Sequence, residues 1–278
     1  MTDQLGDIEA RIGTVRQLAS VIGAMRGIAA VRGHEASARL DGIRTYAATI
    51  GDAIAQALAL APPAPAADDA DPPQLVIAIC AEQGFAGPYN THVIEAVAGL
   101  ARCDALIVVG ARGLAQAREQ HLPITAQLTM ASHVDQIGAL TNQLTDLVLA
   151  RVAADGAARV VLVHACPTAP GQSGEVAIRQ LLPFDFGRFS APRHGPPPLV
   201  QIPVADLLAQ LADEYMFAQL CEALTLALAA ENEARMRAMV AARDHVAEKL
   251  DALDATARRL RQEAITAEVI ELATTLNA

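Results

Sequence analysis

Apolar positions recur every three to four residues over both ends of the chain, and gather into short consecutive runs in its middle. The C-terminal stretch 203–278 contains no glycine and no proline after Pro203, and reads as one uninterrupted amphipathic helix. At about 1.5 Å per residue such a helix would extend roughly 105 Å, too far to bury itself against one globular core. Its periodicity names the kind of partner it needs. Val246, Leu250, Leu253, Ala257, Leu260 and Ala264 form a heptad seam. The register then slips by one, and Ile265, Val269, Leu272 and Leu276 continue it. The charged residues around the seam suit a coiled-coil strut with a solvated face.

The N-terminal stretch 2–60 reads as a second long helix. Leu5, Ile8, Ile12, Val15, Ala19 and Ile22 keep heptad spacing, with Leu18, Met25 and Ile28 widening the stripe. Gly6, Gly13, Gly23, Gly27, Gly33, Gly42 and Gly51 interrupt it chemically. Each glycine costs an exposed helix interior about 0.8–1 kcal/mol relative to alanine. Because the heptads run through Gly6 and Gly13, the expectation is close packing against the C-terminal helix, with the missing side chains permitting close approach. The proline-rich acidic stretch 61–73 then ends the helix.

From residue 74 the pattern changes to strand-like runs at 75–80, 105–109, 159–164 and 175–182, the last suited to an edge; 124–130 is compatible with another. Helical segments at 90–100, 113–121 and 132–154 alternate with them, with Asn90 or Thr91 and Ser132 as candidate N-caps. This alternation implies a parallel α/β sheet covered by helices. The expected architecture is α/β: a Rossmann-like domain at 74–185, inserted between N-terminal (1–61) and C-terminal (203–278) helices that pair as a long antiparallel coiled coil.

Composition narrows the function. Hydrophobic residues make up 53 % of the 278, aromatics only 3 %, and tryptophan is absent, which favours helix over a β-sandwich. The net charge of −10 argues against general nucleic-acid binding, although basic residues do cluster within 11–44. Cys80, Cys103, Cys166 and Cys221 show no paired spacing and are expected as reduced thiols, with Cys80 and Cys166 in buried strands. The N-terminal residues lack signal-peptide character, and no stretch of about 20 residues is apolar enough to span a bilayer. The chain is expected to be soluble and cytoplasmic, able to dock on a membrane complex.

Catalytic chemistry is thin. The loop 83–90 (QGFAGPYN) follows a strand and precedes a helix, where α/β folds bind phosphates, but it carries neither dinucleotide nor P-loop spacing, and Pro88 removes a donor. The seven histidines (His34, His92, His121, His133, His164, His194, His245) show no HxxxH or HExxH spacing, so no metal site is expected. No serine or cysteine sits in a G-x-S-x-G setting. Glu82 and Glu175 stand near strand ends as potential acids, an arrangement common by chance. The residues alone describe a non-catalytic mechanical or scaffolding protein that needs no cofactor.

Four separated stretches add a resemblance. RIGTVR at 11–16 with AMRGIAA at 24–30 is similar to R-I-x-S-V followed by K-A-M-x-M-V-A-A; EQGFAGPYN at 82–90 to D-R-G-L-x-G-x-x-N; and QLLP occupies 180–183. ARMRAM at 234–239, and RQEAIT at 261–266 with Glu268, are similar to A-R-x-x-A-M and R-Q-x-x-I-T-x-E. In this order they resemble the γ subunit of F-type ATP synthase, the central rotor. Departures are Ser20 and Gly23 where lysines are usual, Gly27 for a second methionine, Glu82 and Gln83 for Asp-Arg, and Ala257 for a tyrosine. They suit a divergent or alternate ATP synthase. The resemblance implies one copy per complex, turning inside a ring of α and β subunits and joined to an ε subunit and the membrane c ring, with the nucleotide chemistry on β. It implies a peripheral position on the cytoplasmic side of the cell inner membrane. Met25, Arg26, Arg235, Arg261, Gln262, Thr266 and Glu268 match the family's coupling or partner-contact positions. A coiled-coil tether without rotary role and a nucleotide-binding enzyme using residues 84–90 are the competing classes. Partner stoichiometry separates the first, and a tight nucleotide complex of the isolated chain the second.

Overall fold

A computed structural model describes residues 2–61, 72–155, 159–168, 175–189 and 199–276. Helix α1 spans Thr2–Leu58, and α5 spans Val204–Leu276. Between them run β1 (Gln74–Ile79), α2 (Tyr89–Ala98), β2 (Ala105–Val109), α3 (Ala111–Glu119), β3 (Ile124–Leu128), α4 (Ile137–Asp155), β4 (Arg159–Cys166) and β5 (Glu175–Leu182). Short 3-10 turns occupy Val134–Gln136 and Phe186–Arg188. The chain forms two compact units, one from residues 1–29 and 235–278, the other from 30–234.

In the second unit the strands lie in the order β3-β2-β1-β4-β5. Ile77 stands between Ile107 of β2 and Leu162 of β4 in parallel register. The expected all-parallel sheet is corrected at its last strand: β5 runs antiparallel to β4. The connection 167–174 is only eight residues long, and a parallel neighbour needs a crossover of about a dozen or more.

Alternation along each strand feeds two cores. Leu75, Ile77, Ile79, Ile107 and Leu162 face Leu140 and Leu144 of α4 and Leu220, Leu224 and Leu228 of α5. Val76, Ala78, Cys80, Val108 and Val163 face Val93, Ile94 and Val97 of α2 and Ala117 of α3. Each large side chain so buried contributes about 1.5–3 kcal/mol. A smaller cluster joins Ile50 and Ile54 of α1 to Phe184, Phe189 and Tyr215; the three rings pack edge-on and stacked at 5.1–5.7 Å.

Two glycines decide how closely β1 and α3 approach. Gly110, at φ 102°, leaves no room for a Cβ, which would collide with the Cys80 carbonyl oxygen. A Cβ on Gly113 would collide with Cys80 Sγ. The cysteines are free thiols; Cys80 is buried, while Cys166 is only half-buried at the end of β4 rather than fully enclosed as expected.

The capping expectations are also corrected. Pro88 precedes α2, and the Asn90 side chain instead accepts from the Ala81 N–H (2.8 Å), tying the loop back to β1. Ser132 does not cap α4. The Gln136 amide oxygen accepts from the N–H groups of Ser132 (2.9 Å) and His133 (3.3 Å), and α4 begins only at Ile137.

A polar cluster around a buried carboxylate has no signature in the sequence. The Glu222 carboxylate on α5 accepts from Arg44 Nε of α1 (2.9 Å) and Arg179 Nη1 of β5 (3.3 Å). Beside it on β4, His164 is fully buried; its Nδ1 donates to the Ala165 carbonyl oxygen (3.1 Å), and its Nε2 has no partner among the described residues.

Candidate partner interface

The first unit holds all seven residues that the sequence nominates for partner contact. In it α1 and α5 pair antiparallel: Ile22 packs with Met239 and Val246, flanked by Val15, Ala19, Met25 and Leu250. Ile12 and Ala257 are buried further along the same seam. The heptads read from both helices therefore place the residues they were expected to place.

Two expectations about this pair are corrected. Leu18 and Ile28 do not widen the buried stripe; they stand 49 % and 53 % exposed. The slipped seam does not continue the packing either, since Ile265 and Val269 are 56 % and 58 % exposed. A one-residue slip turns a side chain about 100° around a helix, which moves these two off the buried face. The side chains of Leu272 and Leu276 lie outside the described residues. The glycines are corrected as well. A Cβ built on Gly6, Gly13, Gly23, Gly27 or Gly42 meets nothing within 4 Å, so these positions open to solvent and do not serve close helix approach. Only Gly33, 3.6 Å from Asn232 Cβ, and Gly51, 3.0 Å from Phe189, abut other side chains.

The nominated residues fall into three settings. Met25 is half-buried in the apolar seam, and Arg235 is buried. Arg26, Gln262 and Glu268 are exposed. Arg261 crosses to the other helix, where its Nη2 donates to Glu9 Oε1 at 2.6 Å. The Thr266 hydroxyl donates to the Gln262 carbonyl oxygen one turn back (2.9 Å). Glu9, Ile12, Arg16, Ala257, Arg258 and Arg261 line a groove between the helices, with the small Ala257 at its floor. Charged side chains thus rim the groove over the buried Ile12 and Ala257, a composition suited to docking rather than to bond chemistry. Glu9, Arg16 and Asp254 carry no signal in the sequence; only the pairing of two distant segments brings them together.

The loop between β1 and α2, where α/β folds bind phosphates but where this sequence lacks the spacing for it, is engaged with its own domain. Glu82 Oε2 accepts from the Ala111 N–H at the start of α3 (3.1 Å) and from the Met130 N–H (3.0 Å). This carboxylate joins the ends of three strands, and its chemistry is spent on backbone donors. Phe85, at φ 63°, is exposed at the loop tip.

A covered α/β sheet combined with an antiparallel pair formed by the two terminal helices defines a helical-stalk class of protein with an inserted sheet domain. The family described as ATP synthase matches residues 4–278, and the chain belongs to it. It is 27 % identical to an ATP synthase gamma chain of Rubrobacter xylanophilus, over 97 % of this chain and 96 % of that one. It is 28 % identical to an ATP synthase gamma chain of Frankia casuarinae, over 100 % and 98 %. In fold it is similar to the rotor of the Euglena gracilis mitochondrial ATP synthase (TM-score 0.65, 14 % identity, 95 % of this chain and all of that one). It is also similar to a chain of the Tetrahymena thermophila central stalk and c ring (TM-score 0.58, 18 % identity, 80 % and 99 %).

Proposed function

We propose that this chain is the central-stalk rotor, the γ subunit, of an F-type ATP synthase. It would couple ion flow through a membrane c ring to conformational change at nucleotide sites on β subunits. The observation that carries the reading is the first unit: a helix pair that buries one seam and leaves Leu18, Ile28, Ile265 and Val269 unburied, within a chain whose curated relatives are γ chains along nearly their whole length. Exposed apolar side chains along a shaft require a sleeve, and a ring of α and β subunits supplies one.

On this reading the chain divides into an N-terminal coiled-coil helix (1–61), an α/β domain (74–185) and a C-terminal coiled-coil helix (203–278). Arg26, Arg261, Gln262, Thr266 and Glu268 contact the surrounding subunits. Met25 and Arg235, being more enclosed, hold the helices that present them. One copy serves each complex, with ε and the c ring as further partners. The position is peripheral, on the cytoplasmic side of the inner membrane; no described helix is long and apolar enough to cross one. The choice of proton or sodium belongs to the c ring.

Reconstitution with the α and β subunits of the same organism tests this. ATP hydrolysis is expected to depend on this chain, at one copy per three α and three β. Equal assembly and turnover without it would overturn the reading.

A further inference from the structure

Ion pairs join α1 and α5 in the first unit. Glu9 accepts from Arg261 at 2.6 Å, and Arg16 Nη2 stands 3.6 Å from Asp254 Oδ1. Arg16 lies one heptad up α1 from Glu9, and Asp254 one heptad back along α5 from Arg261. The two pairs therefore belong to one antiparallel register, and their signs are exchanged: acid on α1 in the first, base on α1 in the second.

The apolar seam cannot set this register alone. Ile12 and Ala257 share one groove, and a slip of one heptad in either direction would still lay Ile12 on an apolar residue of α5, Ala264 or Leu250. The charges forbid it in both directions. One slip would put Glu9 opposite Glu268 and Arg16 opposite Arg261; the other would put Glu9 opposite Asp254. Each exposed pair is weak by itself, but like charges facing one another in the slipped arrangements discriminate against them. Flanking charges set pairing and orientation in coiled coils in the same way.

We infer that Glu9, Arg16 and Asp254 are positioning residues: they lock the axial register of the α1–α5 pair and so fix where Arg261 and the following turns stand. The register claim rests on this geometry alone; its consequence for coupling rests on the function proposed above.

The test uses the full-length chain with cysteines introduced in pairs, disulfide yields being mapped by peptide mass. Ala19 and Leu250 share one cluster, so A19C/L250C reports the native register, and A19C/A257C reports a one-heptad slip. The substitutions E9K and R16E each make the native pair repulsive and the slipped pair attractive, toward Glu268 and Arg261 respectively. The expected result is a shift of at least fivefold in yield from the first cross-link to the second in E9K/R16E, with D254R restoring the native cross-link to R16E. Unchanged yields overturn the register lock. If the double variant loses its far-UV helical signal, R16E alone carries the same comparison.

Reconstituted ATP hydrolysis separates this inference from the reading beneath it. R16E is expected to lower activity about threefold and D254R to restore it, while R261Q, which removes the Glu9 partner but leaves the Arg16–Asp254 pair attractive, lowers activity with a smaller shift in the cross-link than R16E gives. A shifted cross-link with full activity in both R16E and R261Q would keep the lock and sink the coupling role of Arg261. Low activity in R261Q with no shift in R16E would do the reverse.

Discussion

A neutral imidazole fixed inside a sheet makes folding sensitive to acid. Burial, the largest influence, pulls the His164 pKa down to about 4; the nearby Arg179 guanidinium acts in the same direction, while the Ala165 carbonyl and Glu222 act against it. In the unfolded chain the same group titrates near 6.5. Between those values the unfolded state binds the proton and the folded state does not, so stability present above about pH 6.5 is lost as pH falls toward 4. The loss amounts to about 3 kcal/mol by pH 4. Urea denaturation at pH 7 and pH 4 should show the wild-type chain losing roughly that much more than His164→Gln, which cannot take up the proton. Parallel losses in the two proteins would refute this. Burial acts on thiols in the opposite sense and pushes Cys80 up to about 12, with Glu231 adding to it. That His164 is enclosed is legible from its place in the run 159–164. That Glu222 and Arg179 stand near it, with Arg44 paired to Glu222, is not, because three elements far apart in sequence supply them.

At the scale of the element, the α1 glycines separate stability from function. Gly23 and Gly27 sit mid-helix, with nothing within 4 Å of the place a methyl would occupy, so alanine there gains helix propensity and meets no obstacle. Gly23→Ala and Gly27→Ala should each stabilise the isolated chain by about 1 kcal/mol, read as a rise in denaturation midpoint. Gly51→Ala should gain less, since its methyl would meet Phe189 at 3.0 Å. Leucine at 23 and 27 should leave helix content intact yet reduce hydrolysis in the reconstituted complex, because the added bulk would face the surrounding subunits of the proposed sleeve; unchanged hydrolysis would dismiss that role. The helix and its heptads are legible in the sequence and the role of the glycines is not, for a definite reason. Periodicity reports which face is buried, but a glycine on either face looks the same until the partner's position is known. The slip after Ala264 misleads similarly: apolar spacing continues through Ile265 and Val269 while the buried face does not. Strands are legible through their compact apolar runs. The reversal of β5 is readable only from the length of the loop before it; the cap at Asn90 is displaced by a hydrogen bond back to the end of β1, and that at Ser132 by the Gln136 side chain four residues on.

At the scale of the whole molecule, charge is divided unevenly. Residues 1–29 and 235–278 carry ten basic and ten acidic side chains, so that unit is neutral; residues 30–234 carry eleven basic and twenty-one acidic, and hold the entire −10. A neutral helix pair with exposed apolar residues should dock through buried area, which salt strengthens slightly or leaves alone. An acidic domain should favour basic partner surfaces, and such contacts weaken once the Debye length falls from about 10 Å at 0.1 M salt to a few ångströms near 1 M. If the helix pair fills the ring of α and β subunits and the acidic domain faces ε and the c ring, the two attachments should respond oppositely to ionic strength. Raising potassium chloride from about 0.05 to about 0.5 M over immobilised reconstituted complex should release the chain from ε and the c ring at least several-fold before it leaves α and β. Release from α and β first would mean that the charged groups of the helix pair, Arg261 and Glu268 among them, carry that attachment and the apolar positions do not.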